Sequence, residues 1–397
     1  MFIAGRRRGI TPTIRPIAGV GGPFRWMRSR DARYTHQAKK QEITRFWLDA
    51  SHRRSGRRKS VTAGGTDMGL AASVIVPVHN GAAFVVAAVN SALSQTCRDI
   101  EIILVDDGST DNTWHIINDC ARHDSRILPI RRHQNGGPAA ARNMALEVAG
   151  GRWIALLDAD DAFLPDRILD LVESAEKLSA DLLADNLLLR DFQTGAALGR
   201  TQWADEMPIF LTLSEILIRD MPDTPTYEQV GFAKPIIRRE FLEETGIKYH
   251  EDILMGSDFL FYCECVARGG RFYIVPAAHY IFSVFRKGSI TTRRELDRYH
   301  SVANHRIRNW AGDGDKGLKQ VLIQRQRMID FDWLRSSVAA RDLLSALSAA
   351  RAIPPLYLAQ RLGSSALLRV RRRVGASRIS RLGRIQRGDR SLPETRE

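Results

Sequence analysis

The stretch SVIVPVHNG, residues 73–81, shows the pattern that decides the fold. A short run of β-branched and apolar residues is followed at once by polar and turn-forming residues, which is typical of a buried strand that ends in a loop. The same pattern returns in EIILVDDGS, residues 101–109, and in WIALLDADD, residues 153–161. We therefore predict three buried strands, each with polar side chains directly after its carboxyl end.

Between and after these strands the apolar residues are spaced as on helices and on further short strands. Helices are predicted over 83–95, 111–123, 138–149 and 166–178, and strands over 126–130 and 180–184. Strands that alternate with helices in this way indicate an α/β protein with a Rossmann-like, doubly wound, mostly parallel sheet. Such sheets bind ligands at the carboxyl ends of their strands, which is where the three polar clusters fall.

The chain is strongly basic, but its basic residues are unevenly placed. Its 397 residues carry a formal net charge of +14. The surplus lies in residues 1–60 and 361–397, whereas residues 61–360 are acidic on balance. Because nucleic-acid-binding proteins usually carry the basic face on the folded domain, we expect no nucleic-acid partner. A protein that binds nucleic acid through its basic ends stays an alternative.

The sequence also bears on location. No run approaches the roughly 18 continuous apolar residues of a membrane-spanning helix, and the N-terminus shows no secretory signal. We expect a cytoplasmic protein or one bound peripherally to the cytoplasmic face of the inner membrane. Residues 367–387 mix branched apolar residues with arginines, which suits a cationic amphipathic helix on an anionic membrane or a solvated basic tail.

Three carboxylates share one short loop, at Asp158, Asp160 and Asp161. Like charges this close repel each other unless a cation is present. Mg²⁺ prefers oxygen ligands, and it commonly binds carboxylates of the protein together with phosphates of the substrate. The position of the loop after a buried strand favours a metal-assisted phosphate site. A solvated turn, in which Asp161 or Asp166 caps the next helix, is the alternative.

Three further places offer suitable chemistry. The carboxylates of 106–107, before Gly108, can accept hydrogen bonds from a base or a ribose. Asp258 is either a catalytic base or the cap of a helix predicted over 259–268. The basic turn Phe285–Ser289 either closes over a diphosphate or is an exposed turn.

These motifs agree in order and spacing with a known family. They are SVIVPVHN at 73–80, LSQT at 93–96, EIILVDDGSTD at 101–111, ARN at 141–143, LDADD at 157–161, PDR at 165–167, GSDF at 256–259 and RKGS at 286–289. Over residues 73–185 they closely resemble the family 2 glycosyltransferases of GT-A fold. The later motifs are similar to those of bacterial exopolysaccharide glucosyltransferases of the succinoglycan type.

The resemblance implies roles in nucleotide binding. Pro77, His79 and Asp107 would line the uridine pocket, with Asp107 near the base. Arg142 and Arg286 would lie near the nucleotide and its phosphates. The family usually has tyrosine where this chain has His79.

The resemblance also implies the catalytic groups. Asp158 would face the ribose, Asp160 would hold Mn²⁺ or Mg²⁺ on the diphosphate, and Asp258 would be the catalytic base. Many members have Glu-Asp at this last place, where this chain has Ser257 followed by Asp258. The carboxylates at 251–252 belong to the preceding segment of the family pattern.

The function implied is that of an inverting hexosyltransferase. We expect a UDP-sugar donor, UDP-glucose above all. The acceptor would be a hydroxyl of a growing exopolysaccharide or surface polysaccharide, carried on a lipid. The alternative enzyme is a nucleotidyltransferase on a similar sheet. Such enzymes usually place a glycine-rich basic loop after the first strand, where this chain has 77–81.

Four parts of the chain are predicted on these grounds. They are a basic, disordered extension (1–67), a GT-A catalytic domain (68–292) with a nucleotide-sugar half (72–200) and an acceptor half (201–292), a helical extension (293–350) and a basic amphipathic tail (351–397).

Overall fold

The structure, a computed structural model, describes residues 70–284, 293–311 and 315–362. The predicted extension 1–67, the basic turn that contains Arg286, and most of the tail 351–397 lie outside the described residues.

The described strands form one ten-stranded mixed sheet in the order β3-β2-β1-β4-β9-β6-β10-β5, with β7 beside β6 and β8 beside β10. The strands are β1 (Ala72–Val78), β2 (Ile100–Asp107), β3 (Ile127–Arg132), β4 (Trp153–Leu156), β5 (Ala162–Phe163), β6 (Leu182–Asp191), β7 (Ala197–Arg200), β8 (Ile209–Leu211), β9 (Ile236–Arg238) and β10 (Phe272–Val284).

The first four main strands form a parallel block. β1 pairs with β2 and β4, and β2 pairs with β3, all in parallel, with Val76 opposite Leu104. Both of these side chains, like most of β1 and β2, are fully buried. Strands covered on both faces need apolar residues at every position, which explains the unbroken runs in the sequence. The predicted α/β fold with a mostly parallel sheet is confirmed.

The other half of the sheet contains short strands that the sequence pattern did not indicate, and one long strand where the pattern predicts two, over 271–275 and 279–285. The three-residue β9 lies antiparallel between β4 and β6, and it is too short to show a period. β10 is a single strand of 13 residues, although its pattern is interrupted by Pro276. The register shifts between Val275 and Tyr280, and a bulge of this kind accommodates a proline.

The described helices are α1 (Val85–Leu93), α2 (Thr113–His123), α3 (Gly137–Val148), α4 (Arg167–Leu178), α5 (Leu213–Arg219), α6 (Arg239–Thr245), α7 (Ser257–Ala267), α8 (Arg293–Ala311), α9 (Lys316–Ala339) and α10 (Leu343–Ala352). Two short 3₁₀ turns, Thr226–Glu228 and Val230–Phe232, precede β9. Helix α4 shows why the helical spacing was readable, because its buried residues Ile168, Leu171, Val172 and Ala175 recur three or four apart. After the sheet, α8 packs against α7 and α9.

Candidate active site

A cavity of about 600 Å³ opens at the carboxyl ends of β1, β2 and β4. The loops after these strands line it, together with the start of α7, the segment before β9 and the end of β10. Parallel neighbours end at the same edge of a sheet, so loops far apart in sequence meet here. The sequence-predicted site residues that line the cavity are Pro77, His79, Asp107, Arg142, Asp158, Asp160 and Asp258.

Two carboxylates and two cations form a charged ring on the cavity wall. Arg142 lies 2.8 Å from Asp158 and 2.9 Å from Asp258, measured between nitrogen and oxygen atoms. Lys234 Nζ lies 2.9 Å from Asp158 and 2.7 Å from Asp258. Each cation thus bridges both carboxylates, and the ring is neutral as a whole. The arrangement holds Asp158, from the loop after β4, close to Asp258, from the start of α7.

The charged ring changes the pKa values of its members. Burial acts to raise the pKa of Asp158, but Lys234 and Arg142 outweigh it and hold that pKa well below its usual range. Burial acts to lower the pKa of Lys234 and of Arg142, and their two carboxylate partners outweigh it and raise both. At neutral pH, Asp158 is therefore ionised and both cations keep their charge.

Asp161, the last carboxylate of the loop, is anchored to the sheet. It accepts hydrogen bonds from the Tyr280 hydroxyl at 2.8 Å and from the Ser283 backbone N–H at 2.7 Å. Burial, together with the charges of Asp160 and Asp158, raises its pKa well above the usual value, which reduces the repulsion within the loop. The Ser283 hydroxyl donates to the Asp160 carbonyl at 2.6 Å. Strand β10 therefore fixes the backbone that presents Asp160 to the cavity.

The loops after β1 and β2 are held by contacts of Asp107. Its carboxylate pairs with Arg132 and accepts a hydrogen bond from the Gly136 N–H at 3.0 Å. Its backbone carbonyl lies 2.8 Å from His79 Nδ1. Because a carbonyl only accepts, Nδ1 carries the proton of this imidazole. The ring of His79 is thus oriented by the neighbouring strand end.

Asp258 lies in the first turn of α7 and does not cap it. The helix begins at Ser257, and its N-cap is Gly256, whose φ of 70° lies in the left-handed region that favours glycine. The alternative interpretation of Asp258 as a helix cap is therefore wrong. Its carboxylate instead reaches both cations of the charged ring.

The neighbouring carboxylates point to other partners. Glu251 accepts a hydrogen bond from the Asn143 side chain at 2.9 Å. Asp252 forms an ion pair with Arg306 on α8. The lining of the cavity contains Asp258 and neither of these two residues.

Lys234 is the member of the charged ring that sequence analysis missed. It stands directly before Pro235, in an irregular segment without helical or strand periodicity, so nothing in the local sequence marks it. In the fold it is buried, and its carbonyl accepts a hydrogen bond from Arg167. Only the packing of β9 against β4 and β6 brings this segment to the cavity.

The donor set suits a metal ion that is shared with a substrate. In the described ranges, no group of three or more His, Cys, Asp or Glu side chains is placed to hold an ion alone. Asp158 contacts two cations, and Asp160 lines the cavity beside it. Mg²⁺ commonly binds one or two carboxylates and takes further oxygens from phosphates. The residues therefore fit Mg²⁺ or Mn²⁺ together with a diphosphate.

The fold and this site define a class, the glycosyltransferases of GT-A fold. The family model of glycosyl transferase family 2 matches residues 73–244. The succinoglycan biosynthesis protein ExoO of Rhizobium meliloti is 34% identical over 297 residues, which cover 70% of this chain and 81% of ExoO. The chain belongs to glycosyl transferase family 2. The predicted glycosyltransferase class is confirmed in preference to the nucleotidyltransferase alternative.

Other similar proteins agree with this class. The Escherichia coli glucosyltransferase WfaP is 46% identical over 104 residues, 26% of this chain and 41% of WfaP. Among solved structures, Staphylococcus aureus TarS has a TM-score of 0.51 at 21% identity, over 65% of this chain and 43% of TarS. The mannosyltransferase PcManGT of Pyrobaculum calidifontis has a TM-score of 0.50 at 18% identity, over 83% and 89% of the two chains. These two structures share the fold.

Proposed function

We propose that this glycosyltransferase moves a hexose, with UDP-glucose as donor, onto a hydroxyl of a lipid-linked polysaccharide precursor and inverts the anomeric centre. The observation that carries the proposal is the charged ring, which places Asp258 beside the loop of Asp158 and Asp160. The relatives support the substrates, since ExoO is named for succinoglycan biosynthesis. WfaP is named as a UDP-Glc:α-D-GlcNAc-diphosphoundecaprenol β-1,3-glucosyltransferase.

Asp258 is the proposed catalytic base. A sugar hydroxyl is a weak nucleophile, and a carboxylate that takes its proton during attack contributes on the order of 10²–10⁴-fold in rate. The acceptor oxygen bonds to the anomeric carbon as the bond to the nucleoside diphosphate breaks, and the hydroxyl proton passes to Asp258. Because attack occurs opposite the leaving group, the configuration inverts. Lys234 and Arg142 orient the base.

The remaining predicted residues have proposed roles at the donor. Pro77, His79 and Asp107 surround the uridine, and Asp158 lies near the ribose. When bound, Mn²⁺ or Mg²⁺ supplies positive charge at the diphosphate. Asp160 is the residue that would hold the ion. Arg142, which pairs with Asp158, is a proposed nucleotide contact. Arg286 remains a predicted phosphate contact outside the described residues.

Donor turnover tests the proposal. Purified protein is given UDP-glucose, UDP-galactose, UDP-N-acetylglucosamine or GDP-mannose, with and without Mn²⁺, and release of the nucleotide is measured. We expect metal-dependent release from UDP-glucose, and loss of both release and metal-dependent donor binding in Asp160→Ala. The matched control is Asp119→Ala, at a half-exposed aspartate on α2 that lies outside the cavity, and this variant should behave as the wild type. Absence of both turnover and calorimetric binding for every donor contradicts the proposal.

We propose in addition that the end of the described chain contacts an anionic membrane. Among the described helices, none is long and apolar enough to cross a bilayer. Leu343, Leu344 and Leu347 on α10 and Leu356 beyond it are mostly exposed. The sequence that follows is rich in arginine, which suits attraction to acidic headgroups beside an apolar contact. Such a contact would bring the enzyme to a lipid-linked acceptor.

Vesicle sedimentation tests this contact. We expect the full chain to bind phosphatidylcholine vesicles that contain phosphatidylglycerol. The double variant Leu343→Gln/Leu344→Gln should bind on the order of a hundredfold more weakly, because two leucines at the lower value of about 1.5 kcal/mol each contribute about 3 kcal/mol. The control is Leu198→Gln, at an exposed leucine on β7. If Leu343→Gln/Leu344→Gln bound the vesicles as tightly as the Leu198→Gln control, the leucines on α10 would not contact the membrane.

A further inference from the structure

Three aromatic side chains that none of the roles above uses line the cavity together. Tyr227 and Phe232 belong to the two 3₁₀ turns before β9, and Phe282 belongs to β10. The Tyr227 and Phe282 rings lie 6.1 Å apart, and the Phe232 and Phe282 rings lie 5.8 Å apart at 87°. These three residues are called the aromatic cluster below.

The aromatic cluster does not fill the core. All three side chains are only partly buried, whereas Tyr262 and Tyr280 nearby are completely buried. Rings that pack edge to face leave part of their faces uncovered, and here the uncovered surface borders the cavity. Partly exposed aromatic surface at a cavity is typical of ligand contact.

Chain connectivity places the aromatic cluster close to the reacting groups. Phe282 directly precedes Ser283, which holds the loop of Asp160 through two hydrogen bonds. Phe232 stands two residues before Lys234, which contacts the proposed base Asp258. The aromatic cluster is thus attached to both the donor-side loop and the charged ring.

The chemistry of these rings selects their ligand. A diphosphate gains little from an aromatic face, because the face carries partial negative charge. A pyranose ring presents a face of C–H groups, which packs against aromatic carbon and leaves its hydroxyls to polar neighbours. We infer that the aromatic cluster binds the pyranose ring of the acceptor and presents its hydroxyl to Asp258. This inference rests on the proposed function and adds the acceptor site to it.

Saturation-transfer NMR tests the site without requiring turnover. The probes are octyl β-D-glucopyranoside and octyl N-acetyl-β-D-glucosaminide, in the presence of UDP, with sorbitol as an open-chain control. We expect transfer from the protein to the pyranose C–H protons and none to sorbitol. The variants Tyr227→Leu and Phe282→Leu should lower the glycoside affinity about tenfold, the size expected for loss of one aromatic contact.

A matched control is Phe210→Leu, because Phe210 and Tyr273 form another ring pair, 5.1 Å apart, that does not line the cavity. It should bind the glycosides as the wild type does. UDP affinity, measured by calorimetry, should be unchanged in all variants, which separates this test from that of the proposed function. Unchanged glycoside binding in both cluster variants, or no glycoside signal in the wild type, overturns the inference. A matching loss of donor affinity also overturns it and assigns the rings to the donor sugar.

Discussion

Two clusters in this protein each pair basic side chains with aspartates, but they are enclosed to different degrees. Arg167 and Asp185 form a sealed pair, 2.8 Å apart, in which neither side chain is exposed. In the charged ring, Asp158 keeps 26% of its side chain exposed and Asp258 keeps 13%. The Arg167 side chain of the sealed pair packs against the rings of Phe163 and Tyr280, whereas the charged ring borders the cavity.

The difference in enclosure teaches what each cluster can do. In the sealed pair, Arg167 contacts Asp185, the Lys234 carbonyl and the faces of Phe163 and Tyr280. No substrate reaches such a pair, and separating its charges leaves one of them buried without compensation. The members of the charged ring can exchange a partner for a substrate group. We therefore expect the sealed pair to support the fold and the charged ring to support the proposed reaction.

The largest expected effect is on the charged ring. Asp258→Asn keeps the size of the side chain but removes the proposed base, so kcat should fall by about 10²–10⁴-fold. Donor binding, measured by calorimetry, should persist because the nucleotide contacts stay in place. Steady-state nucleotide release with the preferred donor measures the change. Near-normal kcat in this variant would remove Asp258 from the chemistry.

The matching substitution in the sealed pair should act on stability. Asp185→Asn leaves the Arg167 charge buried without its partner, so the free energy of unfolding should fall by about 3–5 kcal/mol. Urea denaturation compares this variant with Asp258→Asn, for which a smaller loss is expected because the charged ring borders the cavity. If Asp258→Asn proved the less stable of the two, the contrast between the clusters would fail.

The smallest expected effect is a change in pH dependence. Because the folded-state pKa of Asp158 is lowered, its stabilisation is complete above the usual carboxyl pKa of about 4, and it decreases progressively as the pH falls from there through the lower folded-state pKa. Lys234 itself stays charged over this range, since its pKa is raised. The stability difference between the wild type and Lys234→Met should therefore be larger at about pH 7 than at about pH 3.

Denaturation at the two pH values measures this difference. Lys248→Met is the matched control, because Lys248 is an exposed lysine paired with Glu147. Its small effect should change far less with pH. A difference for Lys234→Met that is the same at both pH values would show that Lys234 does not lower the pKa of Asp158.

The sequence predicted those parts of the fold that depend on the pattern of neighbouring residues. The runs of β1, β2 and β4 are apolar because both faces of these strands are covered, and the loops that follow them carry the residues that line the cavity. β9 has only three residues and could not be recognised. The break at Pro276 concealed the continuity of β10, which pairing with β6 maintains on both sides of the bulge.

The sequence by itself determined the alternation of strands and helices over residues 73–178, the family, and the carboxylates at the ends of the strands. Only the tertiary structure decided that Lys234 joins Arg142, Asp158 and Asp258, and that the buried Asp161 is anchored by Tyr280 and Ser283. The physical reason is that secondary structure follows from neighbouring residues. Ion pairing and burial depend on side chains that come together from different elements, and no local pattern encodes their distances.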